Sequence, residues 1–119
     1  MADFIYLYRG GNPPSEPDEV QKQTHKWLAW MKELGANGHV RAGNPLERHG
    51  KVVRGKSKTV TDGPFAEAKD LVGGYLLVHA KDFDEALELS KGCPILDMDG
   101  TVEVRAIHLV NVPAVDGDA

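Results

Sequence analysis

Two stretches of this chain alternate as strands do, yet both of their faces are apolar. In Asp3–Tyr8, Phe4, Tyr6 and Tyr8 fall on one side and Ile5 and Leu7 on the other, and Tyr75–Ala80 reads the same way. A strand of that kind must be covered twice, so its sheet takes helices on one face and a second layer on the other.

The chain supplies only two helices. Ser15 and Asp18 mark the start of the first, Pro17 fits its opening turn, and Val20, Thr24, Trp27, Leu28, Met31 and Leu34 recur at helical spacing up to a stop at Gly35. Trp30 lies at the edge of that stripe, either flanking the core or lining a pocket. The second helix is capped by Asp82 with Glu85 in the capping-box position. It turns Phe83, Ala86, Leu87 and Ser90 inward and ends at Gly92 and Pro94 after about ten residues. Further strands are expected over His39–Gly43 and Thr101–Val110. A basic hairpin of Lys51–Arg54 and Ser57–Thr61 is expected to turn at Gly55-Lys56. Phe65–Leu71 holds helix-favouring residues hemmed in by glycines, and both a helical turn and a loop fit it.

Strand, helix, strand, hairpin, strand, helix, strand is the order of a ferredoxin-like α+β sandwich, and 119 residues make one such domain with a frayed tail from about 113. Two helices cover one sheet face. Ile5, Leu7, Leu76, Val78, Val102 and Val104 are the set expected beneath them. Phe4, Tyr6, Tyr8, Tyr75, Leu77, His79, Glu103 and Arg105 are expected opposite, where a second copy would cover the aromatics and leave a partly polar cleft. A homodimer is therefore expected. Arg105 in such a cleft needs a carboxylate partner or an anionic ligand.

Composition excludes several function classes. No apolar run approaches the ~20 residues of a membrane span, and the start of the chain reads as a strand, not a leader, so a cytoplasmic protein is expected. Cys93 alone allows no internal disulfide or thiolate cluster, and its place between Gly92 and Pro94 suits a packed thiol better than a nucleophile. His25, His39, His49, His79 and His108 lack metal-ligand spacing, so neither metal nor cofactor is expected. A net charge of −4, and no aromatic among the basic residues Lys51, Arg54, Lys56 and Lys58, argue against nucleic acid.

The stretch Thr61-Asp62-Gly63-Pro64-Phe65 is where chemistry is most concentrated. An Asp at a turn commonly accepts from the amide two residues on, but that residue is Pro64, which has none. Asp62 is thus a candidate functional acid, with local capping as its plain alternative.

Asp62-Gly63-Pro64-Phe65 followed by Ala66-Glu67-Ala68-Lys69, Gly73-Gly74-Tyr75, Asp84-Glu85-Ala86, Gly92-Cys93-Pro94 and Val102-Glu103-Val104-Arg105, with Trp27-x-x-Trp30 and Gly43-Asn44-Pro45-Leu46, resembles the DGPF-domain branch of the YCII-related family. The resemblance implies a dimeric α+β barrel of ferredoxin-like subunits. It also implies a small-molecule ligand, association with sigma-factor regulation, and a His–Asp pair acting on ring compounds. In relatives the His lies on the first helix, where this chain has His25; the assignment of the acid to Asp62 is inferred. A neutral imidazole oriented by a carboxylate can move a proton, as an isomerase or lyase would require. The expected ligand contacts are Tyr6, Tyr8, Trp27, Phe65, Tyr75 and Arg105, around a small, aromatic or lactone-type acid. The alternative is a noncatalytic binding or accessory dimer.

Overall fold

The computed structural model describes residues 2–63 and 70–110. Its elements run β1 (Ala2–Gly10), α1 (Pro17–Ala36), β2 (Val40–Pro45), β3 (Lys51–Arg54), β4 (Thr59–Asp62), β5 (Val72–Ala80), α2 (Phe83–Ser90), a short 3-10 helix (Pro94–Met98) and β6 (Gly100–Ala106). Four strands form one antiparallel sheet in the order β2-β5-β1-β6, and β3 pairs with β4 in a separate ladder. Setting that hairpin aside, this is the strand order of a ferredoxin-like α+β fold. The two long two-faced strands, β1 and β5, lie at its centre. Of the expected stretch 65–71, residues 65–69 lie outside the described ones, as does the tail from 113.

Which face of β1 turns inward differs from the expectation. Phe4, Tyr6 and Tyr8 are buried beneath the helices, while Ile5 and Leu7 face the open side of the sheet. Alternation cannot rank two apolar faces; size can. Each aromatic ring removes far more apolar surface from water than Ile or Leu, and the rings meet those of α1. Tyr6 stacks on Trp30 with centroids 6.3 Å apart, and Tyr8 meets Trp27 edge-on at 5.1 Å. Tyr6 stands opposite Leu76 on one side and Val104 on the other, so these three form one inner row. Its hydroxyl donates to the carbonyl oxygen of Ala86 at 2.6 Å, which ties β1 to α2. The inner placement of Leu76, Val78, Val102 and Val104 agrees with the pattern.

Helix α1 buries Trp30 and Leu34, so Trp30 sits at the centre of the buried stripe, not its edge. Its indole N–H donates to the Leu89 carbonyl at 3.3 Å. The helix also runs past Gly35. It stops where Gly38, at φ 77°, sends its amide back to Gly35 and His39 sends its own to Leu34. Helix α2 begins as the sequence predicts. Asp82 Oδ1 accepts from the Glu85 amide at 2.9 Å, and Glu85 Oε1 accepts from the Lys81 amide at 2.8 Å. Phe83 and Leu87 are partly exposed, and Ala86 and Ser90 are its buried residues.

Two further differences are local. The β3–β4 turn takes four residues, Gly55 to Lys58, because Gly55 and Lys58 both adopt positive φ and the Lys58 amide bonds the Gly55 carbonyl at 3.1 Å. The 3-10 helix ends at Asp99 with φ 61° and seats Ile95 in the core, and β6 ends at Ala106 instead of running on to Val110. No described helix is long and apolar enough to cross a membrane.

Candidate functional site

A cavity of about 530 Å³ opens between α1 and the end of the sheet where β2 and β5 meet. One helical face supplies Thr24, Trp27, Leu28 and Met31, spaced by three and four residues. The sheet supplies Tyr8 and Leu76, with Ile95 of the 3-10 helix at the back. The space exists because the strands carry glycines there. A Cβ on Gly43 would stand 2.5 Å from Leu76 Cδ1, and one on Gly74 would stand 3.4 Å from the Tyr8 ring. Gly43 lies opposite Leu76 and Gly74 opposite Pro45, so backbone replaces side chains on both strands. Leu28 is 60% exposed at the rim, an apolar side chain facing water where the cavity opens.

The chemistry of the wall is simple. Among the described residues that line it, none is charged. Asn44 and Tyr75 are cross-strand partners on the open face of the sheet, where the Asn44 amide donates to the Tyr75 hydroxyl at 3.4 Å, so these side-chain polar groups lie on the face away from α1. Thr24 is already turned back on its helix, its hydroxyl bonding the Val20 carbonyl at 3.0 Å. Burial, with a smaller contribution from Cys93, pushes the Tyr8 phenol far up, so the wall carries a neutral phenol at neutral pH. A wall of this kind suits an apolar group. A second depression, between the start of α1 and the 3-10 helix, is polar, and its Lys26 is paired with Asp97 at 3.7 Å.

Of the six residues expected to contact ligand, Tyr8 and Trp27 bring their rings together at the apolar cavity, while Tyr75, which borders it, stands cross-strand from Leu7 with its side chain on the open face. Tyr6 is sealed in the core with no exposed surface. Arg105 stands on the open sheet face, its side chain 66% exposed and 3.9 Å from Glu103. Phe65 lies outside the described residues. His25 is exposed on α1, and Asp62 is exposed at the end of β4, paired with Lys51 at 2.7 Å. Among the described residues no hydrogen bond or ion pair joins the two, and neither lines the cavity. Cys93 is a buried free thiol, and burial pushes it up to about 12, as a packed thiol requires. No group of three metal-ligating side chains occurs among the described residues.

Sequence reasoning missed the glycine floor, although Gly43 and Gly73-Gly74 in neighbouring strands were its visible sign. It also missed a second pair, Asp3 and His79, which the β1–β5 register sets side by side on the open face. Only the register could reveal that pair.

Fold and cavity together define a ferredoxin-like α+β protein with a small-molecule-sized pocket beside its first helix. The chain belongs to the YCII-related domain family, whose model matches residues 4–111. No curated protein matches it. Among solved structures it is similar to the 5-chloro-2-hydroxyhydroquinone dehydrochlorinase of Burkholderia phenoliruptrix AC1100 in complex with 2,5-dihydroxybenzoquinone. That similarity covers 98% of this chain and 99% of that one, at 17% identity and a TM-score of 0.47.

Proposed function

We propose that this YCII-related protein, of the DGPF branch by its Asp62-Gly63-Pro64-Phe65 run, binds a small neutral ring compound in the cavity between α1 and the β2–β5 end of the sheet. A lactone or a hydroxylated aromatic fits. The observation that carries this reading is the wall itself: Trp27, Tyr8, Leu28, Met31 and Leu76 offer apolar surface between α1 and the sheet. Its volume lies within the ordinary range of small-molecule pockets, roughly 300–1,000 Å³. A carboxylate would find no cation among the described lining residues, which favours a neutral ligand over an acid. The same lack of a charged or imidazole group favours binding over proton transfer within this cavity. The function is stated for a homodimer. Ile5, Leu7, Tyr75 and Leu77 form a half-buried strip on the sheet face that no described helix covers, and a second copy would shield it while leaving a cleft between the two sheets.

The test is a titration of intrinsic tryptophan fluorescence with a panel of small ring lactones and hydroxylated aromatics. At least one should give a saturable change through Trp27, and Leu28→Trp, which fills the rim at an already exposed position, should abolish its binding when followed by calorimetry. A panel without any saturable binder, or a binder indifferent to Leu28→Trp, would refute the proposal.

A further inference from the structure

The β3–β4 hairpin stands apart from the four-stranded sheet. A two-stranded ladder by itself is marginal in water and holds when one of its faces is covered. Among the described residues β3 and β4 pair only with each other, and the cross-strand partners Val53 and Val60 are 64% and 57% exposed. Charge sets the hairpin apart as well. Residues 51–62 hold four of the chain's 14 basic residues and one of its 18 acids, a net +3 against −7 for everything else. Its one acid, Asp62, is taken by Lys51 at the root, which leaves Arg54, Lys56 and Lys58 toward the tip. A surface that covers this arm must offer an apolar side chain among acids.

The 3-10 helix offers one. Leu96 is 40% exposed, and Asp97 and Asp99 beside it are exposed too, with Asp97 only loosely held by Lys26 at 3.7 Å. Arm and 3-10 helix lie at the same end of the sheet, on opposite edges. Pro45, Gly74, Tyr8 and Val102 form one row across β2, β5, β1 and β6. The chain leaves the sheet for the arm just after Pro45, and the 3-10 helix enters β6 at Gly100, just beyond that row. Within one chain both surfaces stay exposed. Two open sheet faces brought together about a two-fold axis along the strands lay the β2 edge of each copy over the β6 edge of the other, with these ends superposed. Facing sheets pack about 10 Å apart, and the arm is roughly 17 Å long from Lys51 to Lys56, enough to cross that gap and reach around the edge.

We propose that the arm of each copy clasps the second copy, with Val53 and Val60 over Leu96 and the basic tip beside Asp97 and Asp99. The proposal rests on the homodimer stated above and specifies which edges meet in it. The two-fold axis makes two such contacts per dimer, so each substitution acts twice.

The test uses the full chain with Ser57→Cys at the exposed tip, spin-labelled there while the buried Cys93 stays unreacted. Mixed in equal amounts with unlabelled-tip, nitrogen-15 chain, it should broaden the amides of Leu96 to Asp99 in the nitrogen-15 copy, which reports contact between chains only. By sedimentation, Lys56→Glu and Leu96→Asp should each raise the dissociation constant of the dimer about tenfold, and added salt should weaken the wild-type dimer. Lys56 lies in the turn, so its change leaves the ladder intact and the circular dichroism spectrum unaltered. A dimer without broadening at the 3-10 helix, or one indifferent to both substitutions, overturns the clasp and leaves the dimer standing. A wild-type monomer at micromolar concentration overturns both.

Discussion

Replacing Gly43 by Ala tests the architecture where fold and cavity share an atom. The new Cβ would lie 2.5 Å from Leu76 Cδ1, 2.7 Å from the Tyr75 carbonyl oxygen and 3.1 Å from Leu76 Cα. A rotation of Leu76 could relieve only the first of these, because the other two clashes involve backbone of the strand paired with β2. Relief needs a shift of β2 relative to β5. Overpacking of this kind costs about 1–3 kcal/mol. In a domain of this size that corresponds to a fall in Tm of roughly 4–12 °C. Gly35→Ala is the internal control, because it is the same substitution in the last turn of α1 with nothing within 4 Å. It should raise stability by about 0.4–1 kcal/mol through the lost freedom of the unfolded chain. Thermal and urea unfolding of the two variants should move in opposite directions. A Gly43→Ala protein as stable as wild type would mean that β2 and β5 are not packed at this distance, and the reasoning about the cavity floor would fall with it.

Three shorter predictions follow from other parts of the molecule. Asp82→Ala removes the acceptor for the Glu85 amide and should cost about 1 kcal/mol, read as a lower urea midpoint; an unchanged midpoint would contradict the cap. Burial raises the Cys93 thiol from its ordinary 9.0 to about 12, so the unfolded chain releases this proton first, and stability should fall as pH rises from about 9 toward 12. Tyr6 and Tyr8 are raised for the same reason and act in the same direction, so the decisive comparison is Cys93→Ala, whose urea midpoint should fall less between pH 8 and 11. Light scattering at micromolar concentration should report about twice 13.0 kDa, and a stable monomer would contradict the proposed dimer.

The order of elements was legible because caps and periods are local. Asp82 with Glu85, and the three- and four-residue recurrence from Thr24 to Leu34, announce helices whatever they pack against. The inward face of β1 was not legible from alternation, since Phe4, Tyr6, Tyr8 and Ile5, Leu7 are equally apolar by class; ring size, through packing against Trp27 and Trp30, separates them. The stop of α1 went to Gly38 and not Gly35 because a helix tolerates glycine, whereas a positive φ is what ends it. The 3-10 helix gave no periodic sign: Pro94-Ile95-Leu96 is too short for one. The candidate site divides the same way. Tyr8 and Trp27 declare themselves as large rings, but the floor is made by residues with no side chain, and the Asp3–His79 pair is 76 positions apart in sequence and meets only through strand register.

The measurement that bears most directly on the proposed function is amide and indole chemical-shift mapping with the tightest binder of the lactone and hydroxylated-aromatic panel. Saturable shifts should centre on the Trp27 indole N–H and the amides of Gly43, Gly74 and Tyr75, and they should vanish in Leu28→Trp. Shifts centred instead on Ile5, Leu7 and Leu77 of the open sheet face, or none that saturate with any compound, would contradict it.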